Sequence, residues 1–176
     1  DAAGKIVVVG QAASRLLVAR FLSDGTLDST FAAGGILTES LVFTHLYGLT
    51  IQADGKLVVV GRTGSSLNWD VAVHRYDSNG TLDTTFDGDG KQQFGAATFE
   101  TAYDVALQSD GKIVVAGYVG STNDPTGSGS NSLFVRYNAN GSLDTTFNGT
   151  GSLSGDLSLF NTADYIRRIA LQADGK

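Results

Sequence analysis

An all-β fold is predicted by three observations. The chain has short β-branched runs, tight Gly, Asp and Asn turns between them, and an internal repeat that carries both three times over. One period shows the elements in order. "YDVALQ" (103–108) alternates Val105 and Leu107, and an Asp-Gly turn follows. "KIVVAGY" (112–118) is a continuous apolar run, as expected of a strand covered on both faces. "SLFVRY" (132–137) is a third strand, closed by the turn "NANG". After "SLDTTFNGTG" comes "SLSGD", a short edge strand. Four antiparallel strands per period, with no sustained helical spacing, describe one blade of a β-propeller. The structural competitor is a parallel β-helix, whose coils usually repeat in shorter units and lack a tight Asp-Gly hairpin in each.

Two phrases mark the repeat. One is Asp54-Gly55-Lys56, Asp110-Gly111-Lys112 and Asp174-Gly175-Lys176, with a degenerate Ala3-Gly4-Lys5 at the start. The other is "GTLDSTF" (25–31), "GTLDTTF" (80–86) and "GSLDTTF" (141–147). Successive turn glycines lie 51, 56 and 64 residues apart, a period that points to propellers or arrays. The repeats fall at about 1–46, 47–102 and 103–165. A last strand, 166–176, is left to complete a blade of a neighbouring segment or chain.

These phrases resemble the delta-60 repeat, a β-propeller repeat of large bacterial surface or secreted proteins, over essentially the whole chain. The fixed order of turn, Arg-aromatic pair and Leu-Asp-x-Thr-Phe phrase carries the resemblance. It implies propeller architecture and an extracellular or cell-surface location, and it implies no defined activity.

Residues kept in all three repeats most simply serve the blade. Gly55 and Gly111 suit the positive φ of a hairpin turn. The Leu (27, 82, 143) and Phe (31, 86, 147) of the second phrase are expected between neighbouring blades. An acid and a base stay in register: Arg20 with Asp28, Arg75 with Asp83, Arg136 with Asp144. They are expected to form a structural or turn-capping network. A triplicated catalytic acid would need a triplicated base, and none is present.

Bulk properties exclude several functions. A net charge of −6 argues against a basic patch for nucleic acid, the nearest thing to one being Arg167-Arg168. Without cysteine there is neither a disulfide framework nor a thiolate metal site. His45 and His74 read as ordinary strand residues, and no apolar run reaches the ~20 residues of a membrane span. The chain starts at Asp1 and holds no Met, which reads as a piece of a longer product. No cofactor is expected. Asp87 and Asp89 are spaced like the start of a calcium loop, but Lys91 stands at the next ligand position and no later glutamate follows. A solvated turn is the simpler reading of that pair.

Positions that differ between repeats are where a ligand surface could be built. In the first strand of each period Tyr47, Tyr103 and Arg167 are equivalent, as are Gly48, Asp104 and Arg168. On a propeller these would lie near the mouth of the central channel. Trp69 and the polar insertion 120–132 fall on connections between the second and third strands, and such residues suit sugar or peptide recognition. The plainer alternative has Trp69 packing over a blade edge and the tyrosines filling the channel wall.

Three functions follow. The first is a non-enzymatic scaffold or adhesion platform, whose partners are further repeats or other copies joined head to tail into a ring or filament. The second is a lectin-like module binding glycans or surface proteins. The third is a lyase or hydrolase at the channel mouth, for which Asp104 and Arg168 would be candidates; no acid–base–nucleophile set supports it.

Overall fold

The computed structural model describes residues 4–12, 15–40, 45–65, 68–95, 99–120, 129–157 and 163–172. Among them are eleven strands and no helix. The first blade holds β1 (Ile6–Ala12), β2 (Arg15–Phe21) and β3 (Ile36–Ser40) in antiparallel order. The second holds β4 (His45–Ile51), β5 (Leu57–Ser65), β6 (Asn68–Tyr76) and β7 (Lys91–Phe94). The third repeats this with β8 (Phe99–Leu107), β9 (Ile113–Gly120), β10 (Asn131–Tyr137) and β11 (Ser152–Gly155). One parallel bridge, Trp69 with Phe99, links β6 of the second blade to β8 of the third. The chain is a run of β-propeller blades, with β4 and β8 side by side on the inner edge.

Blades stack face to face because each middle strand is apolar on both sides. Leu57 and Val59 of β5 face back onto Leu16, Val18 and Phe31 of the first blade. On the other side, Val58, Val60, Val71, Val73 and Phe86 pack on Ile113, Val115, Val135 and Tyr137 of the third. This two-sided burial explains why β5 reads as an uninterrupted apolar run. The expected inter-blade phenylalanines behave accordingly: Phe31 and Phe86 are fully buried, while Phe147, beyond which no further blade is described, is half-buried. The leucines correct the expectation in part. Leu82 and Leu143 are only half-buried and Leu27 is exposed: this position faces the preceding blade, and no blade before the first is among the described residues.

Two backbone features stitch the blades. Ala32 and Asp87 adopt positive φ (45° and 51°), and their N–H groups donate to the Asn79 and Asn140 carbonyls of the next blade at 2.8 and 2.7 Å. Gly80 and Gly141 sit against Phe31 and Phe86, where a Cβ would press on the ring. The first interface also carries a polar cluster. Glu39 on β3 accepts from Tyr76 Oη at 2.5 Å and from Lys91 Nζ, and His74 Nδ1 lies 3.1 Å from Tyr76 Oη.

Burial alone would raise the Glu39 carboxyl, but His74, Lys91 and Tyr76 overrule it and bring it down to about 2. Burial lowers His74, which stays neutral. The Glu39 contribution is therefore complete above about pH 4.5 and is lost as pH falls towards 2. His74 acts in the same direction from higher pH, since the unfolded imidazole takes its proton first, near pH 6.5. Melting temperature is expected to fall as pH drops below about 6.5 and more steeply below about 4.5, with Glu39→Gln flattening the lower segment only in part, because Asp28, Asp83 and Asp144 are lowered as well. Circular dichroism melts between pH 7 and 3 check this, and a rise on acidification would contradict it.

Residues 163–172 form no β-ladder. They lie against the third blade through Asp164 N to Ser130 O, Ile166 N to Gly117 O and Ile169 N to the Asp104 carboxylate. The last Asp-Gly-Lys turn (174–176) and most of the polar insertion (121–128) lie outside the described residues.

Candidate functional site

The two ends of each blade differ in character. At one end lie the turn between the first and second strands and the long connection between the third and fourth. Here the repeated polar residues meet. Arg75 Nε donates to Asp83 Oδ2 at 2.6 Å, and Lys56 Nζ reaches the same oxygen at 2.7 Å. Asp83 Oδ1 accepts from the Thr85 backbone N–H and hydroxyl. The Arg75 guanidinium also donates to Ala139 O of the next blade and lies 4.8 Å from the Phe86 ring centre. Asp28 is held likewise by Arg20, Lys5 and Thr30, and Asp144 by Arg136, Lys112 and Thr146.

These contacts set the protonation states. At Asp83 burial pushes the carboxyl up, but Lys56, Thr85 and Arg75 outweigh it and hold the group well below the ordinary carboxylate range. Asp28 is lowered chiefly by Lys5, and Asp144 chiefly by Thr146. The network predicted from Arg20, Asp28, Arg75, Asp83, Arg136 and Asp144 is thus a set of three fastenings. Lysine and threonine complete each, and sequence reasoning passed over both. The Lys of Asp-Gly-Lys and the last Thr of Leu-Asp-x-Thr-Phe were the available signals.

The calcium candidates Asp87 and Asp89 line an open cleft with His74 and Lys91. Asp89 Oδ1 accepts the Lys91 N–H at 2.8 Å, a side-chain turn of the ordinary kind. Among the described residues no cluster of three His, Asp or Glu could hold a metal ion.

At the opposite end the residues that differ between repeats converge. In β4 the pairing with β5 skips from Leu46 to Gly48, and in β8 the pairing with β9 skips from Ala102 to Asp104. Tyr47 and Tyr103 are therefore the extra residues of two equivalent β-bulges, which turn their side chains out of the strand's alternation. Each bulge is matched by a glycine in the neighbouring strand. A Cβ on Gly61 or Gly117 would overlap the carbonyl oxygen of His45 or Thr101. Gly117→Ala is expected to cost about 1–3 kcal/mol. Gly155→Ala, where nothing lies within 4 Å of the added carbon, should cost under about 0.5 kcal/mol. Denaturant melts measure both, and equal costs would refute the assignment of the bulge.

The two tyrosines meet edge to face with ring centres 4.8 Å apart, and Tyr103 stacks on Tyr118 at 5.9 Å. Arg167 lies 5.6 Å from the Tyr103 ring. Tyr47, Tyr103, Arg167 and Arg168 line a cleft of about 260 Å³. Asp104 is already engaged: it accepts the Ile169 N–H at 2.9 Å and lies 3.7 Å from Arg168. Burial raises the phenols, Tyr103 to about 12, so both hydroxyls are neutral at physiological pH.

Trp69 is not on a loop. β6 begins at Asn68, so Trp69 pairs with Gly64 inside the hairpin, buried, with the Arg62 guanidinium 3.2 Å over its ring and Phe99 edge-on at 5.4 Å. Arg62 in turn bonds His45 Nδ1, and His45 stacks 6.0 Å from Tyr47. Trp69 thus stands behind the tyrosine cleft through Arg62 and His45. Sequence reasoning missed Arg62 and Tyr118, although they are equivalent to each other and follow the strand glycine in "VVVGR" and "VVAGY".

Comparison with protein families matches the chain to a β-propeller domain of unknown function, DUF5122, over residues 4–31, 52–86 and 108–147. These segments cover more than half of the sequence. The chain belongs to this β-propeller repeat family. No curated protein matches it. Each DUF5122 match runs from a turn between first and second strands, or the strand beside it, to the phenylalanine of the Leu-Asp-x-Thr-Phe phrase. The match thus takes in the three Arg–Asp fastenings, while Tyr47, Tyr103, Arg167 and Arg168 lie outside it.

Proposed function

We propose that this DUF5122 chain is a non-enzymatic module of a secreted or cell-surface bacterial protein, a rigid scaffold that presents one varied end for adhesion or recognition. One observation carries the reading. The repeated polar groups are used up in fastening blades at one end, whereas the tyrosines and arginines at the other end differ from repeat to repeat. Neutral, raised phenols and an Asp104 already bonded to the backbone suit binding better than acid–base chemistry. The surface setting rests on the likeness of the repeats to delta-60 repeats. Tyr103→Ala combined with Arg167→Ala is expected to leave the melting temperature within about 3 °C while abolishing retention on glycan or surface-protein arrays. Array retention that survives the double substitution would sink the reading.

The blade faces favour self-completion as part of that role. Ile6 and Val8 are 51% and 41% exposed, while their equivalents Leu57 and Val59 are 1% and 0% exposed under the first blade. At the far side Val114, Phe134, Phe147 and Leu153 line an apolar cleft with Ile169 and Leu171. The two faces are the two halves of the interface already formed twice within the chain, so a further blade, from more repeats or another copy, fits between them. Light scattering of the 18.3 kDa chain is expected to show association that Val8→Lys abolishes. A monomer at every concentration would argue against joining by copies.

A further inference from the structure

We infer that the varied end holds a site for an acidic sugar, whose carboxylate meets the arginines and whose ring lies on the tyrosines. The inference rests on the reading of that end as the recognition face and names what it recognises.

Charge is the first reason. The chain is acidic overall, with a net charge of −6, yet Arg167 and Arg168 line the cleft and Arg62 stands behind it against His45. Among the described residues neither Arg62 nor Arg167 has a carboxylate within ion-pair distance, and Arg168 shares only Asp104. Arg62 is the more telling, because it is 9% exposed and its neighbours are an indole and an imidazole. Burial and the Arg62 charge together lower His45, so that imidazole adds no charge of its own and Arg62 keeps an uncompensated one. A buried guanidinium without a counter-charge is costly, and an anion arriving nearby relieves that cost.

Shape and donors are the second reason. The cleft of about 260 Å³ is smaller than the roughly 300–1,000 Å³ of drug-sized sites, so it suits one ring-sized group. Its lining of Tyr47, Tyr103, Arg167 and Arg168 sets two aromatic rings beside two cations, which suits a ring that carries a negative charge. Aromatic rings offer a surface for the C–H face of a pyranose, and neutral phenols can donate to its hydroxyls. The Tyr118 hydroxyl, stacked behind Tyr103, is buried and has no hydrogen-bond partner among the described residues. This end therefore keeps polar capacity that the fold does not use.

Titration calorimetry of the whole chain tests the inference with galacturonate, its trimer, galactose, acetate, inorganic phosphate and an acidic peptide. Galacturonate is expected to bind and galactose, acetate, phosphate and peptide to bind at least about tenfold more weakly, with affinity falling as salt is raised. Equal affinity for monomer and trimer marks a free sugar as the ligand, and a tighter trimer marks a unit of a glycan chain. Arg167→Ala, on an exposed side chain, should weaken galacturonate at least about tenfold. Galactose, acetate, phosphate or peptide matching galacturonate, or no heat from any of them, would overturn the proposal. If sugars fail but the Tyr103→Ala and Arg167→Ala variants melt like the parent, only the ligand class falls. If those variants melt as early as Asp83→Ala, the recognition-face reading falls as well.

Discussion

Phe86→Ala is expected to destabilise the chain by about 3–5 kcal/mol, lowering the melting temperature by roughly 10 °C or more. Phe86 is fully buried, stacked under the Arg75 guanidinium, and packed on Gly141 of the next blade. Alanine would leave a cavity between two blades that neither can close, since the backbone contacts flanking it are fixed. Phe147 occupies the same position on the third blade but is only half-buried, so in the Val8→Lys chain, whose ends do not join, Phe147→Ala should cost less than about half as much. Denaturant melts of the two variants compare an internal blade face with an open one. Equal losses would mean that the outer face is covered too, as association would cause.

Asp83→Ala is the second large effect, expected at about 3 kcal/mol. The side chain accepts from Arg75, Lys56 and Thr85, so its removal strands two cations and frees the turn that presents Phe86. Arg75 would keep its bond to Ala139 O, which limits the loss to one blade and its neighbour. Asp83→Asn separates charge from turn capping. The amide can still accept from Thr85 through one oxygen, so the loss should be smaller than for alanine. Melting temperatures of the two variants decide it, and an unchanged Asp83→Ala would remove the network from the account of stability.

The blade was legible in the sequence because its strands announce themselves locally. "KLVVVG" and "KIVVAG" are apolar on both faces, and the Asp-Gly and Asn-Gly turns limit each strand. The Arg–Asp fastening was legible because both partners recur at a fixed offset within each repeat. The bulges at Tyr47 and Tyr103 were not, since they depend on register between two strands rather than on either strand alone. The interior glycines Gly61 and Gly117 were their only trace. From sequence alone Trp69 reads as a loop residue because Gly64 and the serines beside it look like a turn. The hairpin instead continues through Gly64, which holds φ near 132° opposite Trp69. Arg62 and Tyr118 are hard to single out in the sequence because they follow an otherwise conventional apolar run, and only the meeting of β4, β5, β8 and β9 shows what they face.

Native-state hydrogen exchange at three equivalent amides tests the radial stacking of blades most directly. Ala32 and Asp87 stand in exposed glycine-rich turns, yet their N–H groups are bonded to the next blade; for Asn148, their equivalent, no following turn is described. In the Val8→Lys chain, whose ends do not join, Ala32 and Asp87 are predicted to exchange as slowly as strand amides and Asn148 to exchange quickly. Three equally fast amides would show that the blades are not stitched to one another in this way.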